Sequence, residues 1–140
     1  MVELKEKLFP AKISQLDEAM VYISAETEAA GVPVRENLQI AIAFEEMFVN
    51  VAHYAYPGTE GSVKVGIHAG DGKVTIQLTD SGIPFNPLAR KEPDITLSAE
   101  ERQIGGLGIF MVMKSMDEVD YRYEEGHNVF TMVKNYGGII

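Results

Sequence analysis

At 140 residues, with 46% hydrophobic and 24% charged residues, the chain has the size and balance of one globular domain with a proper core. The absence of cysteine excludes a disulfide scaffold, a zinc ribbon and a cysteine nucleophile, and it fits a reducing compartment. A net charge of −9 argues against a generic nucleic-acid surface, which depends on clustered Lys and Arg, and it opposes a bound polyphosphate unless a magnesium ion and backbone N–H groups neutralise charge locally.

The opening Met1-Val2-Glu3-Leu4-Lys5-Glu6-Lys7 alternates in charge and lacks the apolar core of a signal peptide, and no later run is long enough to span a bilayer. The expectation is a cytoplasmic protein with no membrane segment. Residues 2–9 suggest an edge strand closed by Pro10. Ser14 is the expected cap of a first helix, with Asp17 at the capping-box position. Ile13, Leu16, Met20, Ile23 and Ser24 keep helical spacing up to a stop near Gly31.

A second helix is predicted from about Pro33 to Tyr54, ahead of the turn signal Tyr56-Pro57-Gly58. Ile40, Ala41, Phe44, Phe48 and Val51 gather on one side of it, and Gln39, Glu46, Asn50 and His53 on the other. Ile42, Ala43 and Val49 edge that polar stripe, which fits the wall of a cleft better than a solvated face. Asn50 offers an amide oxygen to magnesium, an ion that takes few protein ligands beside phosphates and water. Glu46, one turn earlier, is placed to accept a proton from an attacking hydroxyl. Glu and Asn at this spacing are common on solvated helices, so the pair carries weight only with the segments that follow. His53 admits two readings: a contact to phosphate or to Glu46, or a helix-end histidine beside the negative pole of the dipole.

Ser62-Val63-Lys64-Val65-Gly66-Ile67-His68 and Lys73-Val74-Thr75-Ile76-Gln77-Leu78-Thr79 alternate as two strands around the hairpin signal Asp71-Gly72. The second runs into Asp80-Ser81-Gly82-Ile83-Pro84-Phe85-Asn86-Pro87. Gly82 permits close ligand approach and Pro84 fixes the exit, so Asp80 is held where it can accept a hydrogen bond from an exocyclic amine. An ordinary Asx turn is the plain alternative for Asp80. Residues 86–104 show no sustained period, and a loop of that length suggests a lid. Arg90, Lys91 and Arg102, in or beside it, could each reach a phosphate, with surface charge as the default for each.

Gly105-Gly106-Leu107-Gly108 then leads into a short helix over residues 108–115, a backbone suited to an anion at a helix start, with a flexible connector as the equal alternative for the glycines alone. Neither the Lys-Ser/Thr phosphate loop nor the dinucleotide pattern is present. Met111, Met113 and Met116 read as core filling. Strands over residues 118–123 and 128–135 close the chain around Glu125-Gly126. Early helices and late strands point to an α+β fold: a two-layer α/β sandwich with a mixed, mostly antiparallel sheet and its helices on one face.

The three segments, in this order, resemble the N, G1 and G2 boxes of the GHKL (histidine-kinase-like) ATPases, most closely the small anti-sigma-factor serine kinases. Glu45 to Pro57 is similar to the N-box helix and its exit, Asp80 to Pro87 to the G1 box, Gly105 to Met111 to the G2 box, and Gly126 to Met132 to the closing strand. The resemblance implies the histidine-kinase-like ATPase fold as a single domain over residues 1–140, with an ATP lid at about 87–104. It implies ATP or ADP with Mg²⁺ as cofactors, Asn50 on the metal and Glu46 as general base. Asp80 would hold the adenine amine with help from Thr131. His53, Gly82, Pro84, Phe85, Gly105, Gly106, Leu107 and Gly108 would complete the nucleotide site. Where the family often places a histidine four residues after the magnesium Asn, this chain has Tyr54, and His53 lies one position earlier.

The resemblance further implies an anti-sigma factor that phosphorylates a serine on an anti-anti-sigma (STAS-type) partner, sequesters a sigma factor and forms a homodimer, without touching nucleic acid or membrane. The competing expectation is a nucleotide-gated regulator-binding module without useful kinase activity. A histidine kinase fits poorly, since no two-helix segment that would present a phosphoacceptor histidine precedes the domain.

Overall fold

The computed structural model describes residues 3–89 and 106–137. Five strands form one sheet: β1 (Lys5–Pro10), β2 (Ser62–Gly70), β3 (Lys73–Asp80), β4 (Glu118–Glu124) and β5 (His127–Asn135), in the order β1-β2-β3-β5-β4. Every pairing is antiparallel, so the expected mixed sheet is instead uniform among the described residues. The two hairpins close through Asp71-Gly72 and Glu125-Gly126. Both residues of each turn have positive φ, matching the right-handed twist of the strands they join.

Among the described residues, three α-helices supply the second layer: α1 (Leu16–Ala29), α2 (Val34–Tyr54) and α3 (Gly106–Ser115). Their positions follow the sequence spacing, but the entry to α1 does not. Residues Ile13–Gln15 form a 3₁₀ turn, and no side chain caps either that turn or α1. The Ser14–Asp17 capping box is therefore not made, because the 3₁₀ turn moves the helix start beyond Ser14. At its far end α1 closes on Gly31, with the Val32 N–H on the Thr27 carbonyl at 3.0 Å and the Gly31 N–H on that of Glu28 at 3.1 Å.

The core lies between the helices and one face of the sheet. Alternation puts Val63, Val65 and Ile67 of β2, Val74, Ile76 and Leu78 of β3, and Phe130 and Met132 of β5 on that face. They meet Ile40, Ala43, Phe44, Met47 and Phe48 of α2, and Ile109 and Val112 of α3. Phe9 packs edge-on to Phe48 and Tyr22, with ring centres 6.5 and 5.8 Å apart. Phe9 and Phe48, both fully buried, contribute about 1.5–3 kcal/mol each, and Tyr22 is partly buried. Met116 joins this core, whereas Met111 and Met113 are exposed, so core filling holds for only one of the three methionines. Ile42 is likewise exposed, at the outer edge of the α2 stripe.

Buried Lys134 of β5 donates from Nζ to the Ser115 carbonyl at 2.7 Å. A cation there meets the negative end of α3 and fixes that helix against the sheet. No described helix is long and apolar enough to cross a membrane.

Candidate functional site

The antiparallel pairing of β3 with β5 sets Asp80, the last residue of β3, opposite Asn128 on the core-facing side. Two polar residues thus end a row of apolar ones, and both are buried. Asp80 Oδ1 accepts from the Gly82 N–H and from Asn128 Nδ2, each at 2.9 Å. The same Asn128 nitrogen donates to the Ile83 carbonyl at 2.8 Å. Asn128 Oδ1 accepts from the Phe85 N–H at 3.1 Å and from the Tyr121 hydroxyl on β4. Burial is the main cause that raises the Tyr121 phenol above the usual tyrosine value, so it remains protonated and donating near neutral pH. Among the described residues, no donor meets Asp80 Oδ2.

The turn after Asp80 is held on its other side by the end of α2. The Ile83 N–H donates to the Ala55 carbonyl at 2.9 Å, and Tyr56 Oη accepts from the Ser81 N–H at 2.9 Å. Only glycine fits at position 82, where a Cβ would stand 2.1 Å from the Ala55 carbonyl oxygen. Phe85 faces Tyr54 with ring centres 6.0 Å apart. Pro84 is exposed and sets the direction of the chain without entering the cleft.

Between this turn, β5 and α2 lies a narrow crevice of about 30 Å³, open to solvent at its mouth. Its walls are Met47, Asn50 and Val51 of α2, Leu78 and Asp80 of β3, Phe130 and Asn128 of β5, with Tyr121, Ile83 and Phe85 at the rim. Apolar walls with a few convergent polar atoms are the usual form of a site for a flat heterocycle.

Asn50 is buried, and its Nδ2 donates to the Glu46 carbonyl at 2.9 Å and to Glu46 Oε2 at 3.0 Å. With both contacts being acceptors, the amide orientation is set, and Oδ1 is left to the crevice without a described donor. Glu46 lies one turn back, its carboxylate packed on the first turn of α3. A Cβ at Gly108 would stand 2.1 Å from its carboxyl carbon and from Oε2, so that turn accepts only glycine while Glu46 stays in place. A negative charge there also suits the positive helix end.

The structure therefore brings together Glu46, Asn50, Asp80, Gly82, Phe85 and Gly108. Gly106 and Leu107 fall in the first turn of α3. Gly105 and most of the 87–104 segment, including Arg90, Lys91 and Arg102, lie outside the described residues; Pro87–Ala89 form a 3₁₀ turn at its start. His53 is exposed and edge-on to Tyr54, outside the crevice lining.

Thr131 requires a correction. It pairs with Gln77 on the opposite face of the sheet, and its Oγ1 accepts from Gln77 Nε2 at 3.1 Å. A strand reverses its side chains at each residue, and Asn128 is the polar residue of β5 that faces Asp80. The signal for Asn128 was present in the sequence as a polar residue in phase with Phe130 and Met132. Tyr121 had no such signal, because its reach depends on strand order.

Comparison with known proteins identifies the family. Residues 9–134 match the histidine kinase-like ATPase domain family. The serine-protein kinase RsbW of Listeria innocua is 30% identical over 125 residues, covering 86% of this chain and 80% of that protein. RsbW of Bacillus thuringiensis is 25% identical over 136 residues, covering 92% and 85%. A crystal structure of the RsbU and RsbW domains of Rv1364c from Mycobacterium tuberculosis superposes with a TM-score of 0.67 at 16% identity. It covers 96% of this chain, which spans 32% of that longer one, and it bears on the fold alone. The chain belongs to the histidine kinase-like ATPase domain family and is a relative of the RsbW serine-protein kinases.

Proposed function

We propose that this protein is an ATP-dependent serine-protein kinase acting as an anti-sigma factor: a cytoplasmic, homodimeric ATPase domain over residues 1–140. It would phosphorylate a serine on a STAS-type anti-anti-sigma partner and sequester a sigma factor. The observation that carries the reading is a pair of acceptors with no donor among the described residues, Asp80 Oδ2 and Asn50 Oδ1, presented by residues that line one apolar crevice. Asp80 is suited to an exocyclic amine of a purine, and Asn50 to the phosphate end.

The donor set fits magnesium. The described residues hold no cluster of three carboxylates or histidines, and magnesium beside a triphosphate needs only one or two protein oxygens. Asn50 Oδ1 would be such a ligand, and the ion would supply neutralisation of the phosphate charge. This chain's residues do the rest. The crevice orients the nucleotide, and Glu46 takes the proton from the serine hydroxyl. The serine oxygen then bonds to the γ-phosphorus as the bond to the β-phosphate oxygen breaks, and ADP leaves. Such catalysis is mostly positioning and charge stabilisation.

The test is Glu46→Gln. ATP affinity should stay within a few-fold of wild type, while transfer of labelled phosphate to serine on a STAS-type partner falls by about 10²–10⁴-fold. Undiminished transfer would remove Glu46 from the chemistry. Nucleotide-dependent partner binding by the wild-type protein, with no phosphoserine formed, would instead establish a nucleotide-gated binding module.

A further inference from the structure

We infer that Asn128, backed by Tyr121, is a positioning residue that fixes the Asp80 carboxylate so that one oxygen alone reads the purine. The inference rests on the nucleotide reading above and goes beyond it to the origin of base selectivity in this chain. An Asn side chain has two donor hydrogens and a carbonyl oxygen with two lone pairs. Here all four are used: Nδ2 on Asp80 Oδ1 and the Ile83 carbonyl, and Oδ1 under the Phe85 N–H and the Tyr121 hydroxyl.

Two consequences follow from that saturation. First, Asn128 lines the crevice yet has nothing left to offer a base, so it cannot read the nucleotide directly without breaking its own network. Second, it ties three points of the 80–85 turn to β5: the carboxylate at the start, the carbonyl at Ile83 and the N–H at Phe85. Asp80 Oδ1 is fully occupied by Gly82 and Asn128, which leaves Oδ2 as the acceptor for the ligand. An acceptor-only edge favours a 6-amino purine and rejects a 6-oxo purine, whose oxygen would face the carboxylate. Tyr121 is the outer support. It reaches Asn128 from the edge strand, and removing its hydroxyl leaves Asp80, Gly82 and the base edge chemically intact.

The experiment is calorimetric titration of the full chain with MgATP and with MgITP, which differ at the 6-position, for wild type, Asn128→Ala and Tyr121→Phe. The wild-type protein should prefer ATP by about 10- to 150-fold, the value of one charge-assisted hydrogen bond. Tyr121→Phe should cut that preference by about 2- to 12-fold, and Asn128→Ala should reduce it to about 3-fold or less. Thermal unfolding run in parallel identifies a misfolded variant, in which case Tyr121→Phe alone decides.

A purely structural role would weaken both nucleotides equally, so an unchanged ATP:ITP ratio in Tyr121→Phe overturns the inference. Equal wild-type binding of ATP and ITP overturns it while leaving the nucleotide site standing. A wild-type protein that binds neither overturns both.

Discussion

Replacing Gly108 by alanine separates folding from catalysis at the point where α3 meets α2. The new Cβ would stand 2.1 Å from the carboxyl carbon and Oε2 of Glu46, against the 3.4 Å or more of ordinary contact. The atoms it meets are the far end of a flexible side chain, so the backbone can stay and the carboxylate must retreat by more than an ångström. That retreat breaks the 3.0 Å hydrogen bond from Asn50 Nδ2, a loss of about 0.5–1.5 kcal/mol. Alanine in a helix regains up to about 1 kcal/mol over glycine. Net stability should therefore change by less than about 1 kcal/mol, a shift of a few degrees in Tm. A base displaced by an ångström, in contrast, costs on the order of 10²-fold in rate. The assay is single-turnover transfer of labelled phosphate to a serine-bearing STAS-type partner, with ATP affinity and thermal unfolding measured on the same preparation. Transfer at the wild-type rate would show that the carboxylate position beside Gly108 is not its working one. A large loss of stability would show that the helix contact, not the side chain, is what glycine protects.

Two further substitutions test the walls of the site. Asn50→Ala removes the free Oδ1 and should weaken ATP binding in the presence of magnesium by about 10-fold or more, with little effect when the metal is chelated; equal affinities in paired titrations would count against a metal role. In Gly82→Ala the clash is with the Ala55 backbone carbonyl, which has no flexible end to yield. Chemical denaturation should therefore show a loss of about 1–3 kcal/mol together with lost ATP binding, and an unmoved midpoint would mean that the turn is not pinned to α2.

Most of the fold was legible because its signals are local. The alternation of β2 and β3, the Asp-Gly and Glu-Gly turns and the periodicity of α2 each depend on neighbours within a few residues. The capping box at Ser14 misled because a 3₁₀ turn competes for the same residues. Met111 and Met113 misled because apolar character does not say which side of a short helix is covered.

At the site, Glu46, Asn50 and Asp80 could be singled out because each stands in a constrained local setting. Thr131 and Asn128 were harder, since choosing between them requires the register of β5 on β3 and therefore the phase of the strand. The link from Tyr121 to Asn128 spans the β4–β5 hairpin and depends on β5 lying between β3 and β4. The sequence carries no direct mark of that order.

In the proposed function, Asn50, Asp80, Asn128 and the 80–85 turn enclose a purine triphosphate. Chemical-shift mapping of the ¹⁵N-labelled protein during MgATP titration tests it most directly. The largest changes should fall on the side-chain amides of Asn50 and Asn128 and on the backbone amides of Gly82, Ile83 and Phe85. Shifts confined to the other face of the sheet, around Gln77 and Thr131, or none at saturating nucleotide, would contradict it.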